Sequence, residues 1–433
     1  MLRTTRLSVL ILSLCLWAVP SFAAIPPKQE LQKIKQQLLE RRSALVSQSS
    51  HKKLQRIYGW IQKEKYDQAL DMANLLIKST SKRPFELAQA YHLQGIIHAQ
   101  MENYQASEES FGRALKLEVL PYTPTMTLMF ALAQVQMAGK NGNKAQETLE
   151  LWMALAENIR PEARAFIAAV YAENRQLQLA LDQITMALNE VPKANPAWIR
   201  LAMALHSELG QSEMAVKRAK QLTALKPDEK ANWKQLSGLL LNSNEAKPAL
   251  ASLETGNRID QFKEQGEIMN LVGLRLQEGL PFEAAQLLEQ GLATGKVEKT
   301  QRNWEILSAA WLQAEDLDKS IAALKQAAQL SSKGDLESRL GQLYMEQEKW
   351  PQAVSHLKRA LQKGKLKRPS QIHLGIGMSL FQMGKLDEAL QSLKVAKKVT
   401  AKKDASPLDG WIAHIESELA LRKAGTQVAK GSN

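Results

Sequence analysis

The chain of 433 residues has a formal net charge of +13 and 45% hydrophobic residues, and its one cysteine is Cys15. A lone cysteine excludes an intrachain disulfide and any site assembled from several thiolates. The apolar share is enough for a packed core and too high for a disordered polyelectrolyte.

In chain order, the first feature is an export signal. Arg3 and Arg6 give a positive start, residues 7–19 form a 13-residue apolar core, and Ser21-Phe22-Ala23 offers a small-x-small cleavage site. Residues 1–23 therefore read as a signal peptide, and the setting expected for the mature chain is the periplasm. Two alternatives stay open: an inner-membrane anchor if the signal is not cleaved, and a lipid on Cys15, against which the bulky Leu14 stands. Cleavage after Ala23 leaves a mature chain without cysteine, which suits an oxidising compartment. After Pro26-Pro27, Leu31, Ile34, Leu38, Leu39 and Leu45 fall mostly on one helical face. Residues 24–52 are thus expected as an amphipathic capping helix over the open end of a helical array in residues 53–403.

That array shows itself as a period. Small residues recur at Ala69, Ser107, Ala145, Ala180, Ala215, Ala249, Ala284, Ser320, Ala353 and Ala389, at intervals of 33 to 38 residues. Each sits near the start of the second helix of an expected helical hairpin, where a small side chain lets helices approach. A single hairpin cannot bury its apolar face alone, so the period predicts an all-α solenoid of about ten stacked hairpins over residues 53–403. The clearest unit spans residues 87–120, with Tyr91, Gly95, Ser107, Phe111 and Ala114 at pattern positions. Others carry Ile167, Tyr171, Ala180, Ile184 and Ala187, then Leu340, Gly341, Tyr344, Ala353, Leu357 and Ala360, and lastly Ile376, Gly377, Ala389, Leu393 and Ala396. Residues 404–423, with Leu408, Trp411, Ile412, Ile415 and Leu419, suit a C-terminal capping helix, and 424–433 reads as a disordered tail.

Charge is distributed unevenly. Residues 356–403 hold twelve basic side chains against Asp387 and Glu388, residues 28–56 hold eight against Glu30 and Glu40, and the array between is weakly acidic. Lys358, Arg359, Lys363, Lys365, Lys367, Arg368, Lys394, Lys397 and Lys398 form a candidate basic patch. Fixed positive charge there attracts an anionic membrane surface, peptidoglycan or an acidic protein segment. An ordinary solvated surface accounts for the same run. No aromatic side chains are interleaved with it and the chain carries an export signal, so nucleic acid is not an expected partner.

Catalytic chemistry leaves no local trace. The seven histidines are scattered, and no His-Glu-x-x-His helix, nucleophile elbow or phosphate-binding glycine loop occurs. No catalytic residue, metal site or cofactor is expected, and the chain is not expected to be an enzyme.

These residues resemble the tetratricopeptide repeat family. The resemblance implies a right-handed superhelical solenoid whose first helices line a concave groove and whose second helices face outward. The groove candidates in the last three units are then Arg302, Glu305, Gln313, Gln342, Met345, Gln371, Met378, Phe381 and Gln382. Amides with flexible apolar side chains suit an extended or helical peptide. A narrower resemblance rests on the export signal, on Gln36-Gln37-Leu38-Leu39-Glu40-Arg41-Arg42 and on Tyr58-Gly59-Trp60. In these the chain resembles the periplasmic tetratricopeptide proteins that accompany ExbB–ExbD–TonB energy-transducing complexes in marine gammaproteobacteria. That resemblance implies an accessory role in TonB-dependent uptake of iron complexes, with TonB, ExbB or ExbD as partners. The competing expectations are a scaffold for outer-membrane, secretion or polysaccharide assembly, and a peptidoglycan-associated binder.

Overall fold

A computed structural model describes residues 25–399 and 406–431; the expected signal peptide lies outside the described residues. Among the described residues there are 22 helices and no strand. The first compact unit holds α1 (Lys28–Glu40) and five hairpins. These pair α2 (Gln48–Gln62) with α3 (Tyr66–Thr80), α4 (Pro84–Gln100) with α5 (Tyr104–Lys116), and α6 (Tyr122–Ala138) with α7 (Gly142–Leu155). Then come α8 (Pro161–Glu173) with α9 (Leu177–Asn189) and α10 (Pro196–Glu208) with α11 (Ser212–Leu225). The second unit pairs α12 (Lys230–Asn242) with α13 (Ala246–Ile259), α14 (Gln265–Gln277) with α15 (Pro281–Ala293), and α16 (Gln301–Gln313) with α17 (Leu317–Leu330). It ends with α18 (Asp335–Glu346) and α19 (Trp350–Lys363), α20 (Pro369–Gln382) and α21 (Leu386–Val399), and α22 (Ser406–Gly431). The fold is all-α and built of ten successive hairpins, as the period predicts.

One local device makes each hairpin. Five residues before each small residue the backbone enters the left-handed region, at Glu64, Glu102, Lys140, Arg175, Gly210, Asn244, Gly279, Glu315, Glu348 and Gly384. The next amide then reaches back five residues to a carbonyl of the first helix, as in Lys65 N–H to Trp60 O at 2.9 Å and Lys385 N–H to Leu380 O at 3.0 Å. That bond satisfies an orphan carbonyl at the helix end and sets the second helix against the first. All ten small residues are fully buried, at 0% exposure. Where the residue is serine, its hydroxyl donates across the hairpin, from Ser107 to Gly95 O at 2.7 Å and from Ser320 to Ser308 O at 2.8 Å. Gly95, Gly341 and Gly377 stand twelve residues before their small partners. A Cβ at any of them would run into Phe111, Leu357 or Leu393 of the second helix.

The chain ends differ from expectation. The N-terminal helix stops at Glu40, residues 41–47 are irregular, and Gln48 already opens the first hairpin. Instead of covering the open end, α1 lies against the third hairpin, with Leu38 buried among Met126, Met129 and Leu155. The break has a cause. Ser47 caps α2, and its backbone N–H and the Ser50 hydroxyl are both held by the buried Glu86 carboxylate of α4, which turns the chain away. At the other end, α22 continues to Gly431, so residues 424–431 are helical rather than disordered. No proline interrupts this stretch, and Ala424, Gln427, Ala429 and Lys430 favour a helix against the weaker Gly425, Thr426 and Val428. Leu408 and Ile415 bury its start, and Lys394–Glu416 at 2.8 Å and Lys397–Asp409 at 2.5 Å tie it to α21.

Candidate functional site

The nine groove candidates lie on α16, α18 and α20, the first helices of the last three hairpins. Arg302, Gln313, Gln342, Gln371 and Gln382 are exposed, and Glu305 is half-buried and accepts from Gln301 at 2.7 Å. The three apolar members are drawn inward. Met345 packs between two core clusters, with its sulfur 3.3 Å from where a Cβ of Gly375 would stand. Phe381 makes an edge-on contact with Trp411 of α22 at 5.8 Å and a tilted one with His414 at 5.6 Å. Met378 is half-buried. An exposed amide row remains, with little apolar surface to anchor a partner.

The basic patch divides in two. Lys394 and Lys397 are paired with α22, and Lys363 is tied inward, 3.1 Å from Glu337 and 2.6 Å from the Ala328 carbonyl. Glu337 is buried and also bonds His356 Nδ1 at 2.8 Å, with the His356 ring stacked on Tyr344. Burial opposes ionisation of Glu337, but the bonds from His356 and Lys363 outweigh it and hold the carboxyl below its ordinary range. Lys358, Arg359, Lys365, Lys367, Arg368 and Lys398 are exposed.

A further candidate surface lies in the first unit. The 17 residues of α6 include no charged side chain. A helix apolar on all sides has to bury more than the single stripe a hairpin covers. Leu128 and Val135 enter the core shared with the preceding hairpin, beside Ala88, Phe111 and Ala114, and α1 covers Met126 and Met129. Phe130 stays on an open cleft of about 690 Å³ between α6 and α8. Its aromatic wall is continuous: Phe130 meets Trp152 at 5.1 Å and Phe166 at 5.3 Å. The polar ends of the wall are already satisfied, since Trp152 Nε1 donates to Met126 O at 2.9 Å and the Tyr122 hydroxyl donates to Leu155 O at 3.0 Å. Burial raises the Tyr122 pKa, so the phenol stays neutral. Gln134, Asn158, Arg160 and Glu162 complete the lining. A second cleft of about 480 Å³ crosses α2, α4 and α6, with Tyr58, Phe85 and His92 in its wall and Ser43 of the connector at its edge. Burial lowers the His92 pKa.

Such a surface can hold apolar side chains of a polypeptide between polar rims. Among the described residues no cluster of three or more His, Cys, Asp or Glu is placed to hold a metal ion. The sequence signal for the cleft was the absence of charge from residues 122–138, together with phenylalanines at 130 and 166 left over from the core pattern.

Successive hairpins closed by one turn geometry, with clefts on their first helices, define a helical-repeat protein. Two stretches carry a recognised repeat: residues 338–407, covering α18 to α21, and residues 88–118, in α4 and α5, match family models described as tetratricopeptide repeat. No curated protein matches the sequence. Among solved structures, the C-terminal part of a repeat protein from Cytophaga hutchinsonii aligns at 12% identity and TM-score 0.40, over 64% of this chain and 95% of that one. A tetratricopeptide repeat protein from Parabacteroides merdae aligns at 15% identity and TM-score 0.35, over 59% of this chain and 99% of that one. YrrB, described as having an unusual peptide-binding site, aligns at 14% identity and TM-score 0.37, over 43% of this chain and 93% of that one. At these scores the likeness carries no weight, and the fold assignment stands on the hairpins themselves.

Proposed function

We propose that the chain is a non-catalytic protein–protein interaction scaffold. Its first unit takes an apolar side chain of a partner segment into the cleft between α6 and α8. The observation that carries this is the uncharged α6: one apolar side is covered by α1, while Phe130, Trp152 and Phe166 line the other and remain open. An amphipathic helix already rests on the neighbouring apolar surface, which illustrates the kind of segment this region accepts. Replacing Phe130 and Phe166 together with alanine should abolish crosslinking of a partner captured by a photoreactive residue at Gln134. Undiminished capture by the double variant overturns the assignment.

The finer reading rests on sequence resemblance alone. It makes the protein an exported accessory of an ExbB–ExbD–TonB complex, acting in the periplasm and supporting TonB-dependent uptake of iron complexes. The same crosslinking, followed by mass spectrometry in the native host, tests it. Recovery of TonB, ExbB or ExbD supports it, and recovery of secretion or polysaccharide-assembly proteins in their place refutes it.

A further inference from the structure

The second unit carries a separate surface of different chemistry. A cleft of about 590 Å³ opens between the second helices α15 and α17, lined by Trp304, Leu307, Ala323 and Leu330. Trp304 packs its inner edge on the core, while Leu330 is 55% exposed. Its charged lining is Lys299 and Lys319 against Glu289. Lys319 is occupied, 3.1 Å from Asp316 and 4.0 Å from the Trp311 ring centroid. Lys299 has no ion-pair partner among the described residues.

Lys299 is also the first rung of a ladder. Lys299, Lys333 and Lys367 succeed one another at intervals of 34 residues, each in the connection between one hairpin and the next. Lys365 and Arg368 flank the third rung, and none of these five cations has an ion-pair partner among the described residues. Two of the connections are built against each other. Gly334 N–H donates to Gly364 O at 3.1 Å, and a Cβ at Gly334 would collide with the Ala360 carbonyl. Gly364 and Lys365 are both in the left-handed region, which turns this connection sharply before α20. The carboxylates in these three connections and the first turn after them are Glu298, Asp335 and Glu337, and Glu337 is consumed by Lys363 and His356.

We infer that this edge binds an acidic peptide segment, with one bulky apolar residue seated on Trp304 and Leu330 and carboxylates running along the lysine ladder. Cations one repeat apart in the sequence, on connections brought together by the shared cleft and by the Gly334–Gly364 bond, match a linear polyanion, and the recessed apolar cleft beside Lys299 needs a side chain that can enter it. A flat anionic surface has nothing that reaches Trp304. The inference is independent of the cleft between α6 and α8.

The test uses the full chain and two fluorescent peptides, nine glutamates with a central phenylalanine and the same peptide with a central serine. Anisotropy should show tighter binding of the phenylalanine peptide and weakening as salt rises. The triple reversal of Lys299, Lys333 and Lys367 to glutamate changes only exposed, unpaired side chains and should weaken that peptide more than tenfold. Leu330→Gln should remove the preference for phenylalanine, and Phe130→Ala with Phe166→Ala should leave binding unchanged. Equal binding of both peptides by the unaltered chain overturns the inference. So does retained affinity in the triple variant, or recovery of the chain only with phosphatidylglycerol vesicles or sedimented peptidoglycan.

Discussion

Each hairpin turns on a single residue in the left-handed region, and seven of the ten are not glycine: Glu64, Glu102, Lys140, Arg175, Asn244, Glu315 and Glu348. An L side chain there costs roughly 1 kcal/mol relative to glycine, which has no Cβ to crowd the carbonyl. Replacing Glu315 and Glu348 with glycine should therefore stabilise the hairpins of α16–α17 and α18–α19 by about 1 kcal/mol each. Gly384→Ala should cost about as much. Urea midpoints of the three variants check the pair of signs. This device was not legible in the sequence, because the positions share a backbone conformation and not a residue type. The small residues five positions later share a size, and all ten were read correctly from spacing alone.

At the scale of the helix, amphipathicity shows that a face will be buried but not which surface will receive it. Leu31, Ile34 and Leu38 predicted the α1 helix, yet its seat on the third hairpin depends on an uncharged α6 and on Glu86. Leu38→Ala should undock α1 at a cost of about 2 kcal/mol, the low end for a buried leucine because its seat lies at the protein surface. Protease cleavage within residues 41–47 is the readout. The connector should also respond to acid. Burial disfavours the charged form of Glu86, but bonds from Ser50 and Ser47 and the charge of Arg83 prevail and hold its pKa below the ordinary 4.5. A depressed carboxylate contributes stability that is complete above about pH 4.5 and is lost as pH falls through its folded value. Hydrogen exchange at residues 47–50, corrected for intrinsic rate, should accelerate below that pH. Glu86→Gln should reproduce the release at neutral pH, and unchanged protection in that variant would show that the carboxylate is not what holds the connector. The apolar groove candidates on α18 and α20 are less open than their spacing suggests, for a related reason. Repeat position puts the candidates on first helices, but Met345 and Phe381 are drawn into neighbouring packing that only the folded chain displays.

Over the whole molecule, a period persisting through ten hairpins made the architecture legible, while the surfaces that distinguish this chain depend on what each unit leaves uncovered. The repeat also dictates how damage spreads. Ala353 is fully buried beside Leu340 and Tyr344, and the side chain of Leu357 closes over Gly341 just above it. Leucine at position 353 should overpack this contact by about 1–3 kcal/mol. In a globular core that strain is shared widely, but a stacked hairpin touches only its neighbours, so its instability passes on through one interface at a time. Hydrogen exchange of Ala353→Leu should quicken in α18 and α19, less in α16, α17, α20 and α21, and remain unchanged in α12 to α15. A uniform loss of protection across the second unit would mean that its hairpins fold as one cooperative block. Unchanged exchange in α18 and α19 would place the tight contact at another residue of the hairpin.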